Sequence, residues 1–280
     1  MLTELRLPSI ARLWPEFTRR ADEEGWPAAR LLAALAEIEL ADRARRRIER
    51  HLAEARLPAG KTLASFDFTA VPMLSKAHVT ALAACCGWID KGANLLAFGP
   101  PGSGKSHAAA AIGHALVETG YRVLFTRTTD LVQRLQVARR ALNLEAAIAK
   151  LDKYHLLILD DFCYARKDQA ETGVLFELIA ARYERRSLLV TANKPFGAAA
   201  ARLLRAVPSE MDRSSADDRW NEVFPDPAMT VAAVDRLVHH ATILELNVES
   251  YRRRTALSRP RQQPRRDGDT EREVRDTAHS

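Results

Sequence analysis

The sequence predicts an α/β fold in which a parallel sheet carries helices on both faces. Two observations predict it. From about residue 75 to residue 246, short apolar stretches alternate with stretches of helix length, which is the order that builds βαβ units. The first apolar stretch, residues 94–99, also runs into a glycine-rich loop that is followed by an alanine-rich helix.

Composition sets the broad class of the protein. The 280 residues are 47% hydrophobic and 28% charged, as in an ordinary globular protein that can bury a core. No apolar run approaches the roughly 20 residues that cross a bilayer, and the N-terminus lacks the layout of a signal peptide. We therefore expect a cytoplasmic protein without a membrane partner. The three cysteines show no metal-ligand spacing and suit a reducing compartment.

The chain is predicted to have three regions. Residues 1–68 form a small helical domain and a linker, residues 69–254 form the main domain, and residues 255–280 form a basic tail. The tail has almost no apolar residues and is predicted to be disordered. Arginines crowd the second half of the N-terminal helical stretch. They indicate either a solvated helix face or a helix that binds phosphates or a partner.

Periodicity and turn residues place the elements of the main domain in order. The expected strands are residues 94–99, 121–127, 155–161, 187–193 and 242–246. The expected helices are residues 75–91, 106–120, 129–151 (more than one helix), 170–186 and 227–241. The vicinal pair Cys85–Cys86 falls in the first of these helices, where we expect it to pack rather than to carry redox chemistry.

The glycine-rich loop matches the phosphate-binding pattern G-x-x-x-x-G-K-[ST] in full. Its glycines allow the backbone to approach a phosphate, and its N–H groups and the start of the next helix attract anions. Lys105 can reach the β- and γ-phosphates, and the Ser106 hydroxyl can bind Mg²⁺. The sequence therefore predicts a site for ATP and Mg²⁺ formed by Gly99, Pro100, Pro101, Gly102, Ser103, Gly104, Lys105, Ser106 and His107.

Two further strands end in polar residues that suit the same chemistry. Asp160 and Asp161 close the apolar strand "HLLILDD", and acids at a buried strand end need cations. Asp160 can hold the Mg²⁺ shell, and Asp161 can orient and deprotonate the attacking water. Asn193 ends the strand "SLLVTAN", where its amide could position that water.

With these residues in place, the chain resembles the IstB-like transposition helper ATPases of bacterial insertion sequences. These are relatives of the helicase loader DnaC within the AAA+ superfamily. The resemblance covers roughly residues 2–254 and includes "LRLPSIA", "FGPPGSGKSHAAAAIGHALVETGYRVLFTR", "SLLVTANKPF" and "VFPDPAMTVAAVDRLVHHATILELNVESYRRR". It implies a P-loop NTPase of the AAA+ type, a three-layer parallel sheet with a small N-terminal helical domain.

The resemblance also implies roles for single residues. The loop from Gly99 to Ser106 would be the Walker A motif, Asp160 and Asp161 the Walker B pair, and Asn193 sensor 1. Arg236 would be an arginine finger that reaches the nucleotide of a neighbouring subunit, which implies an ATP-dependent ring or helical homo-oligomer. Many AAA+ proteins have Glu where this chain has Asp161. Sensor 2 stays open among Arg252, Arg253 and Arg254.

The implied partners are duplex DNA, read with weak sequence preference, and a cognate transposase. Basic residues after the second strand would contact DNA phosphates: Arg127, Arg134, Arg139, Arg140 and Lys150. The alternative within the fold is a DnaC-like helicase loader that acts on single-stranded DNA. Two other classes stay open, a small-molecule P-loop kinase and a nucleotide-gated binding module without hydrolysis. Residues 197–219 depart from the family pattern and read as an insertion.

Overall fold

A five-stranded parallel sheet forms the centre of the protein, as the sequence predicts. The computed structural model describes Leu2 and residues 4–162, 169–193 and 227–248. The strands are β1 (Leu95–Phe98), β2 (Val123–Arg127), β3 (Leu156–Asp160), β4 (Ser187–Ala192) and β5 (Thr242–Glu245), in the order β2-β3-β4-β1-β5. Every neighbouring pair is parallel.

Helices cover both faces of this sheet. They are α1 (Pro8–Glu24), α2 (Ala28–Ala55), α3 (Lys76–Ala84), α4 (Gly87–Asp90), α5 (Lys105–Glu118), α6 (Thr128–Arg140), α7 (Leu144–Leu151), α8 (Gln169–Arg182) and α9 (Pro227–Val238), with a 3-10 turn at Phe68–Ala70. No helix in the described ranges is long and apolar enough to span a membrane.

Alternation along the strands divides the core into two layers. On β1, Leu96 and Phe98 join one hydrophobic cluster, whereas Leu95 and Ala97 join the other. The first cluster takes residues from α6, α8 and α9, and the second takes residues from α3 and α5. Because both faces of the sheet are covered, the strands are mainly apolar, as in other parallel sheets, and polar residues stand mostly near their ends.

The prediction of one helix over residues 75–91 is wrong, because the structure breaks it at the cysteine pair. Helix α3 ends at Ala84, Cys85 adopts an extended conformation, and α4 begins at Gly87. The indole N–H of Trp88 donates a hydrogen bond to the carbonyl of Leu82 at 2.9 Å. This side chain occupies a carbonyl that a continuing helix would bond through its backbone. Cys85 is exposed and lies between the two helices rather than inside one.

A buried carboxylate holds α1 against α2. Glu39 is 3% exposed, and its Oε2 accepts the backbone N–H groups of Ser9 and Ile10 at 2.9 and 3.2 Å. Its Oε1 accepts hydrogen bonds from Arg43 and Arg46. Part of the arginine-rich half of α2 therefore serves to pair the two helices.

A buried arginine stabilises the amino edge of the sheet, the edge at which the strands begin. The side chain of Arg182, at the end of α8, is completely buried, and burial lowers its pKa to about 10. Its guanidinium donates to the carbonyls of Leu151, Tyr154 and Ser187 at 3.0 to 3.1 Å. These bonds fix the end of α8 to the segments that enter β3 and β4.

Candidate nucleotide-binding site

Three strand ends meet at the carboxyl edge of the sheet and carry the predicted site residues. The glycine-rich loop follows β1, Asp160 ends β3, and Asn193 follows β4. Strand β4 lies between β1 and β3, so the tip that bears Asn193 stands between the loop and the acidic pair. Ligands of open α/β sheets bind outside the carboxyl ends of the strands.

The loop needs glycine at two positions for different reasons. Gly99 is buried, and a Cβ at this position would collide with the carbonyl oxygen of Leu246. Leu246 is held there because its N–H donates to the carbonyl of Phe98 at 2.7 Å. Gly104 has φ +99° immediately before α5 begins, a conformation that residues with a Cβ rarely adopt. The loop therefore presents backbone at the start of α5, where an anion is favoured.

Two polar side chains in the loop fit a bound phosphate. Lys105 is only 5% exposed, and its Nζ donates to the carbonyls of Gly99 and Pro100 at 2.7 and 2.9 Å. Ser103 is 1% exposed, and its hydroxyl has no hydrogen-bond partner within the part of the chain that the structure describes. A buried hydroxyl without a partner is costly. A phosphate oxygen would satisfy it and would also neutralise the lysine charge.

The acidic strand end is held from the neighbouring strand. Asp160 is 7% exposed, and Thr191 of β4 is completely buried. The Thr191 hydroxyl donates to Asp160 Oδ1 at 2.6 Å and accepts the backbone N–H of Asp161 at 3.0 Å. The Thr128 hydroxyl donates to the Asp160 carbonyl at 2.9 Å. Thr191 therefore orients both residues of the acidic pair, and sequence analysis did not identify it.

Asp161 and Asn193 both lie at the open rim of the site. Asp161 is exposed and has φ +56°, an uncommon conformation for a residue other than glycine. The next residue, Phe162, is buried and its N–H donates to the Thr191 carbonyl at 2.9 Å. The chain therefore turns sharply after β3 and presents the Asp161 side chain outward. Asn193 follows the buried end of β4 and is half-buried.

The linker after α2 packs against the glycine-rich loop. A Cβ at Gly104 would lie 3.5 Å from the Phe66 ring, and the Phe66 and His107 rings meet edge to face with centroids 5.1 Å apart. The His107 Nε2 lies 3.1 Å from the Ser65 hydroxyl. The structure thus places the His107 ring against the linker. Neither Phe66 nor Leu246 was predicted as a neighbour of the loop, because their proximity arises only on folding.

Arg236 does not join the nucleotide site of its own chain. Asn94, which precedes β1, donates to the carbonyls of Arg236 and Leu237 at 3.3 and 3.1 Å. This anchors the end of α9 at the amino edge of the sheet, away from the glycine-rich loop. The Arg236 guanidinium donates to the Ala232 carbonyl at 2.9 Å and lies 5.2 Å from the centre of the Phe176 ring.

The predicted DNA-contacting residues, referred to below as the exposed basic group, lie on β2, α6 and α7. Arg127 ends the edge strand β2 and pairs in register with Asp160. The others lie on α6 and α7. Arg139 faces Glu177 of α8, with Nη2 and Oε1 3.9 Å apart. The exposed residues are Arg127, Arg134, Arg139, Arg140 and Lys150.

Several sequence predictions concern residues outside the described ranges. These are the insertion at residues 197–219, the tail at residues 255–280, Cys163 and the three sensor 2 candidates Arg252, Arg253 and Arg254.

Fold and site together define the class of the protein. A parallel sheet with helices on both faces presents a complete G-x-x-x-x-G-K-[ST] loop beside an acidic strand end. This is the arrangement of a P-loop NTPase. The predicted P-loop NTPase fold, a parallel sheet with helices on both faces and N-terminal helices, is confirmed.

Comparison with known sequences assigns the family. The family of IstB-like ATP binding proteins matches residues 1–207 and 213–259, and this chain belongs to that family. A protein of Sinorhizobium fredii, provisionally named an insertion sequence ATP-binding protein, is 67% identical over 265 residues, covering 95% of this chain and 82% of its own length. The corresponding protein of insertion sequence IS5376 from Geobacillus stearothermophilus is 32% identical over 250 residues, covering 89% and 91%.

Solved structures resemble the chain more distantly. The crystal structure of the DnaC helicase loader has 19% sequence identity and a TM-score of 0.49, and the match covers 67% of this chain and 97% of that one. The resemblance to the IstB-like family that the sequence predicts is confirmed by the family match itself.

Proposed function

We propose that this protein is an ATP-dependent, DNA-binding helper of transposition. It would assemble on duplex DNA with ATP, recruit and stimulate a cognate transposase, and hydrolyse ATP to reset. The proposal is carried by two features found at the same edge of the sheet. Lys105 is buried in a complete phosphate-binding loop, and the hydroxyl of Thr191 on β4 orients the carboxylate of Asp160. Residues 69–254 would form the ATPase domain and residues 1–68 the helical domain.

Binding of the nucleotide would rest on the loop and the start of α5. The backbone N–H groups of the loop and the Lys105 ammonium would hold the β- and γ-phosphates. The Ser103 hydroxyl, buried and without a partner in the described residues, would donate to a phosphate oxygen. The Ser106 hydroxyl and the Asp160 carboxylate would hold Mg²⁺. When bound, that ion neutralises charge on the β- and γ-phosphates.

Hydrolysis would use the residues at the rim. Asp161 would orient the attacking water and accept its proton, and Asn193 would hold that water in line with the γ-phosphate. The shorter carboxylate of Asp161, where many AAA+ proteins have Glu, would give slower turnover. The position of the Asp161 carboxylate would set the rate of hydrolysis. That position is fixed because Asp161 directly follows Asp160 and its backbone N–H donates a hydrogen bond to the Thr191 hydroxyl.

Assembly of several subunits would complete the nucleotide site of each with an arginine from its neighbour. Arg236 lies at the opposite edge of the sheet from the loop of its own chain, which suits a residue that acts on a neighbouring subunit. A head-to-tail interface of this kind generates a ring or a helical filament. The exposed basic residues after β2 would contact DNA phosphates, so binding would be salt-dependent and only weakly sequence-dependent.

The experiment that tests this function measures ADP release by the purified protein. Turnover is compared without DNA, with duplex DNA of several sequences and with single-stranded DNA, at low and moderate salt. The proposal expects stimulation by duplex DNA of any sequence, reduced at higher salt. Stimulation by single strands alone would instead support a helicase loader. Turnover that neither DNA changes would contradict the proposal. The variant Lys105→Ala is the negative control, and Lys91→Ala, which changes an exposed lysine before β1, is the matched positive control.

A further inference from the structure

A cluster of metal-ligand side chains lies at the amino edge of the sheet, away from the nucleotide site. Glu184 follows the end of α8, and His239 and His240 follow the end of α9. One ligand atom from each of these residues lies within 4.8 Å of the other two. We propose that Glu184, His239 and His240 form a binding site for a divalent transition metal, with Zn²⁺ as the chemically best-matched ion.

The donor set suits zinc. Two imidazole nitrogens and one carboxylate oxygen are a set that Zn²⁺ accepts with a fourth position left for water. Zinc binds such atoms at about 2.0 to 2.2 Å, so the side chains must move closer together than they lie here. All three are exposed, so rotation about their side-chain bonds can achieve this without repacking of the core. Mg²⁺ is a poorer match because it prefers oxygen ligands.

The surrounding contacts bring these side chains together before a metal arrives. The His239 Nδ1 lies 3.5 Å from Glu184 Oε1 and 2.5 Å from the Tyr183 hydroxyl. The rings of His239 and His240 are 3.9 Å apart between centroids. Tyr183 also lies against His239, with their ring centroids 5.7 Å apart. Tyr183 can keep this contact with Nδ1 if His239 binds zinc through Nε2, because outer groups in zinc sites bond the ring nitrogen that does not hold the metal.

The backbone on both sides of the cluster is fixed by the fold. The completely buried Arg182 holds the end of α8, two residues before Glu184. Glu184 also approaches Gly92 so closely that a Cβ there would lie 2.8 Å from its carbonyl carbon. On the other side, the N–H of His239 donates to the Asp235 carbonyl at 2.9 Å. A metal would therefore cross-link two anchored helix ends rather than two mobile loops.

The site would have a structural consequence. Helix α9 carries Arg236, three residues before His239, and packs against α8 through the contact of Arg236 with Phe176. Zinc bound across the two helix ends would stabilise this packing without touching the nucleotide. The proposal does not depend on ATP hydrolysis or on DNA binding, so its test uses neither.

The test is calorimetric titration of ZnCl₂ into tag-free, metal-stripped protein without nucleotide. Cys85→Ala/Cys86→Ala serves as the background, because vicinal thiols also bind zinc. We expect saturable binding of roughly one zinc per chain. Zinc at about one hundred times its Kd should raise Tm by roughly 5 °C. His239→Ala/His240→Ala and Glu184→Gln are then each introduced into this background. In both cases the affinity for zinc should fall at least ~10-fold, since loss of even an outer-shell partner lowers metal affinity about 10- to 100-fold.

A matched control and a fold check complete the design. His114→Ala removes another surface histidine that faces a glutamate, His114 Nδ1 being 3.4 Å from Glu118 Oε1, and should leave zinc binding unchanged. Melting without zinc shows whether each variant folds, and His240→Ala alone spares the contact between Tyr183 and His239. The proposal is wrong if the background protein binds no zinc, or if folded variants of Glu184 or His240 bind it as tightly.

Discussion

The Thr191 hydroxyl donates a hydrogen bond to Asp160 Oδ1 at 2.6 Å across the junction of β4 and β3. The same oxygen accepts the backbone N–H of Asp161 at 3.0 Å. One buried hydroxyl therefore fixes both the residue proposed to bind Mg²⁺ and the residue proposed to activate water. This relationship makes Thr191 a positioning residue for ATP hydrolysis.

Replacing Thr191 by Val should separate turnover from binding. The change keeps the shape of the side chain and removes both hydrogen bonds, so the acidic pair can shift. Because displacements near 1 Å can cost on the order of 100-fold in rate, we expect ADP release to fall about 10- to 100-fold. ATP binding, which rests on the loop, should persist, and half-saturation by Mg²⁺ should require more metal. Thr191→Ser keeps the hydroxyl and should restore most of the rate. Equal kinetics for Val and Ser would contradict this role.

Loss of the loop lysine should weaken the binding of ATP itself. Lys105→Ala removes the buried ammonium that lies at the carbonyls of Gly99 and Pro100. We expect at least ~10-fold weaker binding of a fluorescent ATP analogue, since a hydrogen bond to a charged group contributes about 1.5 to 3 kcal/mol. ATP-dependent assembly on DNA, measured by light scattering, should disappear with it. Assembly that persists in Lys105→Ala but requires ATP would refute the assigned site.

Mixing of variants tests whether Arg236 acts between subunits. Arg236→Ala should bind ATP normally, because Arg236 lies at the far edge of the sheet, but should turn over slowly. Asp161→Asn should bind ATP and supply an intact arginine. In a random 1:1 mixture, about one quarter of head-to-tail interfaces would pair an intact acid with an intact arginine. We therefore expect ADP release to rise above that of either variant alone. A mixture no faster than the two separate variants would indicate that Arg236 serves only its contact with Phe176.

The exposed basic group should control how DNA binding depends on salt. Arg134→Ala/Arg140→Ala removes two exposed charges from α6. We expect weaker binding to duplexes of every sequence, and a plot of log K against log salt that is shallower by roughly 2, because each phosphate contact contributes about 0.9 to that slope. Arg19→Ala/Arg20→Ala, which removes two exposed arginines from α1, is the charge-matched control. An unchanged slope in the α6 variant would exclude this surface.

Acid should destabilise the fold through histidines that are held neutral. Burial is the main cause that lowers the pKa of His51, His107 and His155. The unfolded chain then binds protons more readily than the folded one, so stability is complete above pH about 6.5 and declines as pH falls below it. His155 Nδ1 accepts the backbone N–H of Arg122 at 3.0 Å, which requires the neutral ring.

Urea unfolding followed by circular dichroism from about pH 8 to about pH 5.5 measures this decline. His155→Asn should make it shallower, because the amide oxygen can accept the same hydrogen bond without titrating. His114→Asn changes a partly exposed ring on α5, has no such backbone hydrogen bond to replace, and is the control. A urea concentration at half-unfolding that does not change over this pH range would contradict the expectation.

Sequence alone predicted the sheet, its strands and the phosphate-binding loop. These features are local, since each strand-length apolar run and the motif from Gly99 to Ser106 is a contiguous stretch of the sequence. The helix break at Cys85 was missed because it depends on Trp88 reaching the Leu82 carbonyl. That contact follows from how the chain folds back, which periodicity does not reveal.

Tertiary structure decided what surrounds the predicted residues. Thr191 lies 31 positions from Asp160, and only the pairing of β4 with β3 brings its hydroxyl to that carboxylate. Likewise, Glu184 and His239 are distant in sequence and meet because α8 and α9 end at the same edge of the sheet. The sequence determined which chemical groups the protein carries. The order of the strands determined which of them share a site, because contacts between distant segments exist only once the sheet has formed.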